Sequence, residues 1–203
     1  MQQLALFGQA PASGLTFVDD ATGRIAYIPE AVSRDVADAW FDELRGSLDW
    51  RAERRPMYDR IVDVPRLTAH FDLSGDLPPV IDAARLTIEK ALRTRFNSVG
   101  LNLYRDGHDS VAMHNDHTEE LIERSPVALL SLGSARRMRI HSKARPRRTF
   151  DVTLEPGSIL VMAGASQEFW EHGIPKTREL VGPRISLAFR QRPPGVPSGR
   201  NRR

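Results

Sequence analysis

The chain has 203 residues, 40% hydrophobic and 27% charged, with a formal net charge of +3 and no cysteine. That composition is globular and the length suits one domain with a real core. It excludes disulfides and thiolate metal sites, and it leaves histidine and carboxylate as the strong metal ligands. There is no apolar run of the roughly 18 residues that a membrane-spanning helix needs, and Met1-Gln-Gln-Leu-Ala-Leu-Phe-Gly8 lacks the basic start and long apolar stretch of a signal peptide. A monomer in the reducing cytoplasm, with no membrane contact, is the expectation.

Residues 1–14 mix Gly, Pro, Ala and Ser without a period and read as a flexible leader. Thr16 to Ile28 has short apolar runs split by Asp19-Asp20 and Gly23, which predicts a hairpin. Val36, Ala37, Trp40, Phe41 and Leu44 recur at helical spacing after Ser33, an N-cap type, with Gly46 as a stop. Residues 50–77 mix Arg, Pro, Asp and Gly and read as an ordered excursion, not a helix. A second helix begins after Pro78-Pro79 and carries Ile81, Leu86, Ile88 and Leu92.

After Phe96 the pattern is strand throughout. Apolar segments at 97–104, 110–115, 126–133, 136–141, 149–154, 158–162 and 184–190 are separated by turns such as Asp106-Gly107 and Glu155-Pro156-Gly157. Many short strands with polar breaks predict a sandwich or jelly roll. The fold class is therefore α+β, mainly β, with two supporting N-terminal helices. The basic, Pro/Gly-rich stretch 193–203 reads as a disordered tail.

Basic residues cluster in three places. Arg136, Arg137, Arg139, His141, Lys143, Arg145, Arg147 and Arg148 fall within thirteen residues; Arg51, Arg54, Arg55, Arg60 and Arg66 form a second group; and Arg192, Arg200, Arg202 and Arg203 a third. Such density attracts polyanions.

His114-Asn115-Asp116, followed by His172, is the pattern that carries chemistry. Two imidazoles and one carboxylate can cap one face of an octahedral iron and leave three positions for a bidentate co-substrate and oxygen, the ligand logic of non-haem Fe(II) oxygenases. In an extended strand residues i and i+2 point the same way, so His114 and Asp116 can reach one metal from one strand. Alternation turns His117 away from it. Arg184 and Arg190 lie six residues apart and share one face of the last strand, with Ile185, Leu187 and Phe189 on the other. Guanidinium forks hold carboxylates bidentately, and a buried arginine face needs an anion.

Three stretches, Phe96-Asn-Ser-Val-Gly-Leu-Asn-Leu-Tyr104 with His114-Asn-Asp116, Gly157 to Pro175, and Pro183-Arg184-Ile-Ser186-Leu-Ala-Phe-Arg190, together with Pro65-Arg66-Leu-Thr-Ala69, resemble the AlkB family of Fe(II)/2-oxoglutarate-dependent dioxygenases. The likeness runs from about residue 56 to 192 in order and spacing. It implies a double-stranded β-helix at 96–192, preceded at 15–95 by helices and a nucleotide-recognition lid. It also implies Fe(II) on His114, Asp116 and His172, and 2-oxoglutarate as co-substrate. Arg184 would take the distal carboxylate, Arg190 the carboxylate beside the keto group, and Asn102 and Tyr104 would add hydrogen bonds. Ser186 and Ala188 stand where repair relatives often carry Asn and Thr, which moves or weakens two hydrogen bonds. The implied reaction is oxidative demethylation of N-alkylated bases in DNA or RNA, releasing formaldehyde, succinate and carbon dioxide.

A base must leave its stack to be oxidised. The resemblance brings His70-Phe71 to the place of an aromatic plate, with His114 as the opposite plate. Thr118, with Glu119 next to it, occupies the position where relatives carry an acidic residue. Arg66, His70, Phe71, Thr118, Glu119 and Trp170 are thus the candidate substrate-binding residues. Two rival readings remain: an oxygenase of the same fold acting on a protein or small molecule, and a non-catalytic nucleic-acid binder.

Overall fold

In the computed structural model, residues 14–57 and 60–195 are described, with 55–57 and 60–62 described by backbone alone. Most of the leader expected at 1–14 and of the tail expected at 193–203 lies outside these residues. The chain opens on the expected hairpin, β1 (Leu15–Asp20) and β2 (Gly23–Ile28). α1 (Arg34–Ser47) follows Ser33 and runs past Gly46, whose surroundings are open and demand no left-handed turn. The excursion at 50–77 contains a long antiparallel hairpin, β3 (Arg51–Met57) and β4 (Arg60–Asp72). α2 (Pro79–Leu92) has proline in its first turn, where no N–H is missed, and closes on Arg93 in the left-handed region.

The strands then follow nearly as the patterning predicts: β5 (Ser98–Tyr104), β6 (Val111–His114), β7 (Val127–Gly133), β8 (Arg136–Ser142), β9 (Thr149–Leu154) and β10 (Ile159–Ala163). A short helix, α3 (Ser166–Phe169), leads into β11 (Trp170–Ile174), and β12 (Arg184–Arg190) ends the sheet. Neither α3 nor β11 was among the expected segments; one is a single turn and the other only five residues long.

Among the described residues the strands form an eight-stranded sheet, β1-β2-β10-β7-β12-β5-β4-β3, and a four-stranded sheet, β6-β11-β8-β9. Both are antiparallel. Period-2 alternation sorts each strand of the large sheet between two cores. Ile185, Leu187 and Phe189 join Leu130, Leu101 and the buried faces of α1 and α2 (Ala37, Leu44, Ile81, Ile88) on one side. Ala188, Tyr104, Leu129 and Met162 meet Ile140, Trp170 and Ile174 of the small sheet on the other. Each fully buried Leu or Ile contributes about 1.5–3 kcal/mol, so helices and small sheet together bury both faces of β12. Leu86, expected on the core face of α2, is half exposed. No helix among the described residues is long and apolar enough to cross a membrane.

Candidate metal centre and co-substrate pocket

His172 on β11 sits directly opposite His114 on β6 in the ladder, and their ring centroids are 4.4 Å apart. The close approach depends on Gly173: a Cβ there would lie 2.9 Å from the Val111 carbonyl oxygen and 3.0 Å from Met113 Sδ. With Asp116 the two histidines offer ligand atoms that all lie within 4.8 Å of one another. The Nδ1 of His114 is 2.9 Å from the Ala112 carbonyl oxygen, so its N–H is committed there and Nε2 is left for a metal. Burial presses His172 down to about 3, His114 adding to the effect and Asp116 opposing it, so the ring is neutral and its lone pair available. Burial acts to raise Asp116, but the charge and hydrogen bonds of Arg190, with His172 and His114 behind them, hold it well below the usual carboxylate range. Two imidazoles and an ionised carboxylate are the donor set that a divalent iron takes.

The expectation that one strand carries both His114 and Asp116 is corrected: β6 ends at His114, and Asp116 stands two residues beyond it. Its placement depends on side chains instead. Arg190 donates from Nε and Nη2 to the two carboxylate oxygens, at 3.0 and 3.1 Å. The Asp116 backbone N–H donates to Gln167 Oε1 at 2.8 Å. Sequence reasoning missed Gln167, since nothing marks it except a place on α3 five residues before His172.

Behind the triad, Arg184 is 1% exposed. Its Nη2 donates to Ser131 Oγ at 2.8 Å, and its guanidinium lies 5.3 Å from the centre of the Tyr104 ring. Its Nε is buried without a partner. Burial lowers its pKa to about 10, Tyr104 opposing and Arg136 adding to the shift. A buried guanidinium with an orphaned N–H and, among the described residues, no carboxylate hydrogen-bonded to it fits an anionic ligand. Ser186, buried, and Asn102 stand opposite each other one step nearer the triad, and Ser131 lies across from Ser186 on the next strand. The expected co-substrate set, Asn102, Tyr104, Arg184, Ser186 and Arg190, thus lies on alternate positions of two paired strands.

The candidate substrate residues divide. Arg66 donates to Asn102 Oδ1 at 2.7 Å and reaches the Ser110 carbonyl at 3.5 Å, so it borders the co-substrate wall. His70 lies opposite Gly100, where Arg190 Nη1 and His70 Nδ1 would be 3.3 and 3.6 Å from an added Cβ. Its Nε2 is buried without a partner. Phe71 is a correction: strand alternation sends it to the opposite face, against the helix-side core with Leu67 and Ala69, so it does not face the triad. Trp170 is another: it is 2% exposed, donates to Thr22 Oγ1 at 3.0 Å and lies 5.7 Å from Phe150, which makes it core. Thr118 and Glu119 are exposed in a single turn past the carboxylate ligand, where Glu119 meets His117 at 3.1 Å.

The basic clusters are less uniform than their spacing suggests. Arg136 is buried and ties the carbonyls of Asp106, Asp109 and Pro175 together. Arg137 and Arg139 share Asp151, and Arg148 pairs with Asp20. Lys143, Arg145 and Arg147 remain exposed beyond β8. Arg54 meets Asp63 on the β3–β4 hairpin, and the side chains of Arg55 and Arg60 lie outside the described residues.

Fold and site define a jelly-roll protein with a His-Asp-His cluster that could hold a metal ion, and a buried arginine with an unpaired Nε on the same sheet face. Residues 74–190 match the 2OG-Fe(II) oxygenase superfamily. The chain is 32% identical over 190 residues to alpha-ketoglutarate-dependent dioxygenase alkB homolog 3 of Bos taurus, which covers 82% of this chain and 65% of that protein. It is 34% identical over 120 residues to DNA oxidative demethylase ALKBH2 of Mus musculus, covering 56% of this chain and 50% of that protein. In fold it is similar to a crystal structure of a Pseudomonas putida prolyl-4-hydroxylase, with a TM-score of 0.57, 18% identity, and coverage of 85% of this chain and 95% of that one. The chain belongs to the 2OG-Fe(II) oxygenase superfamily, and the relatives it is similar to carry AlkB-homologue names. It spans about 65% of the length of its alkB homolog 3 relative from Bos taurus.

Proposed function

We propose that this chain is an Fe(II)/2-oxoglutarate-dependent dioxygenase that oxidatively demethylates N-alkylated bases in DNA or RNA. The observation that carries the reading is the buried Arg184, its Nε unpaired, in the same interior as three ligand atoms that lie within 4.8 Å of one another. A metal and a dicarboxylate bound side by side fit that arrangement. When bound, Fe(II) and 2-oxoglutarate supply, with oxygen, the oxidation of an N-methyl C–H bond, with formaldehyde lost from the hydroxylated product.

The protein's share is placement. His114, Asp116 and His172 would hold the iron, and Arg184 with Tyr104 would orient the co-substrate. The nucleic-acid substrate is supported by the relatives, one of which is named a DNA oxidative demethylase. It is supported too by β4, which brings Arg66 and His70 to the wall that Asn102 and Arg190 share, and by the exposed basic residues past β8. A monomer in the cytoplasm belongs to the same proposal.

The test is release of succinate and formaldehyde in equal amounts from oligonucleotides carrying N-methylated bases, with Fe(II) and 2-oxoglutarate supplied, repeated across salt concentration. Formaldehyde from methylated oligonucleotides, falling steeply with salt, supports the reading. Succinate formed equally with and without any oligonucleotide would reject the nucleic-acid substrate.

A further inference from the structure

The three ligands of the metal centre are not held alike. His114 and His172 belong to paired strands and are fixed by the ladder. Asp116 lies past the end of β6, where no ladder reaches it. A carboxylate that must stay within reach of two imidazoles therefore needs other anchors, for its backbone as well as its oxygens. Arg190 supplies the anchor for the oxygens.

The backbone is held from the segment that leads into β11. Gln167, 5% exposed on α3, accepts the Asp116 N–H on Oε1 at 2.8 Å. Among the described residues its own Nε2 reaches Met162 Sδ alone, at 3.9 Å, a weak acceptor, so the strong hydrogen bond of this side chain is the one to the ligand. α3 is seated firmly: Gly23, with φ of 118°, brings its Cα against the Ser166 backbone, where a Cβ would collide. A second arm closes the arrangement. Lys143, just past β8, donates from Nζ to Asn115 Oδ1 at 2.9 Å and to the Gln167 carbonyl at 3.2 Å. Its backbone N–H donates to the Phe169 carbonyl at 2.8 Å.

We propose that Gln167 is a positioning residue for the metal centre, with Lys143 as its outer brace: together they clasp the Asn115-Asp116 backbone so that the carboxylate is presented to the metal in the geometry the histidines already hold. The same short segment thus carries one ligand at His172 and the anchor of another at Gln167, and a shift in α3 moves both. This rests on the metal site proposed above.

The test is a titration of the metal-free 203-residue chain with Co(II), followed by its visible absorption, for the parent, Gln167→Leu, Gln167→Glu and Lys143→Met, beside the thermal midpoint of each metal-free protein. Partners of metal ligands typically contribute about 10- to 100-fold in affinity, and Gln167→Leu, which leaves the Asp116 N–H without an acceptor, should weaken Co(II) by that factor. Gln167→Glu keeps an acceptor at the same reach and should recover most of it. Lys143→Met, at an exposed position, should weaken Co(II) in the same direction while its thermal midpoint stays at the parent's.

Unchanged Co(II) affinity in Gln167→Leu overturns the proposal. Should Gln167→Leu fail to fold, unchanged affinity in Lys143→Met overturns it. Failure of the parent to bind Co(II), with His114→Ala indistinguishable from it, would instead reject the metal site itself.

Discussion

Arg190 grips Asp116 through both carboxylate oxygens, Nε to Oδ2 at 3.0 Å and Nη2 to Oδ1 at 3.1 Å, with both side chains largely buried. The sequence reading gave this arginine to the co-substrate. In the structure its fork is engaged by the carboxylate of the triad, so it sets the angle of a metal ligand whatever else it touches. The Cβ-free Gly100 beneath it leaves the room its guanidinium uses.

Arg190→Lys keeps the charge and loses the planar fork. A point charge can neutralise Asp116 but cannot fix both oxygens, so metal affinity should fall by about tenfold or more, as partners of metal ligands typically do. The 2-oxoglutarate KM should rise with it. Metal titration and steady-state kinetics check this; a variant with parental metal affinity would show that the fork is not what places Asp116.

Arg184 should behave in a way that separates stability from function. In the ligand-free protein it is a buried cation with an orphaned N–H, its Nη2 hydrogen-bonded to Ser131 Oγ. Replacing it by an apolar chain of similar length removes that unfavourable burial. Arg184→Met is therefore expected to raise, or leave level, the thermal midpoint of the ligand-free protein. The stabilisation by added 2-oxoglutarate, about 2.7 kcal/mol for the parent at a hundredfold excess over its dissociation constant, should vanish. A midpoint that drops sharply without ligand would mean that Arg184 is a structural cation already neutralised.

How much of this was legible in the residues follows from what each signal depends on. The β12 pattern survives intact because strand alternation is a local rule: Ile185, Leu187 and Phe189 face the helices, and Arg184 and Ser186 the interior. The triad was legible because its residue types have few other uses together. Its support was not. Gln167 reaches Asp116 across 51 residues, a distance that neither propensity nor periodicity spans. Phe71 and Trp170 failed for a related reason, since aromatic residues near a site look alike whether they face the ligand or the core. Only the sheet face decides, and for Phe71 a one-residue step decides it.

The two aromatic corrections make opposite demands from those a base-stacking role would make. Phe71→Ala should lower stability, by less than the roughly 3–5 kcal/mol of a fully buried aromatic truncation because Phe71 is only partly buried. Trp170→Ala should cost the full amount, about 3–5 kcal/mol, as it also frees Thr22 and removes the plate under Arg148. Denaturant unfolding gives both values. Once folded at low temperature, Phe71→Ala should turn over methylated oligonucleotide and decarboxylate 2-oxoglutarate without substrate in the parental ratio. Loss of the first alone would return Phe71 to the base pocket.

The last prediction concerns pH and His70, half-buried on β4 with its Nε2 unpaired. Burial lowers its pKa from 6.5 to about 4, the nearby Arg192 and Arg190 adding to the shift and Asp72 opposing it. The unfolded chain therefore takes up this proton first. Between those two values it binds more protons than the folded chain, and stability must fall as pH falls through that window. Above it His70 is neutral in both states and contributes no slope; below it the loss is complete. His172 acts with the same sign in the metal-free protein, so removing His70 should flatten the fall without abolishing it. In His70→Leu, the difference in thermal midpoint between about pH 7.5 and about pH 5 should be smaller than in the parent, with both proteins metal-free. An equal or larger difference would mean that His70 is protonated inside the fold, paired with a group such as Asp72. The same imidazole, kept neutral at working pH, offers one donor and one acceptor beside Arg190, so His70→Leu should also weaken turnover of a methylated oligonucleotide more than it weakens binding of 2-oxoglutarate.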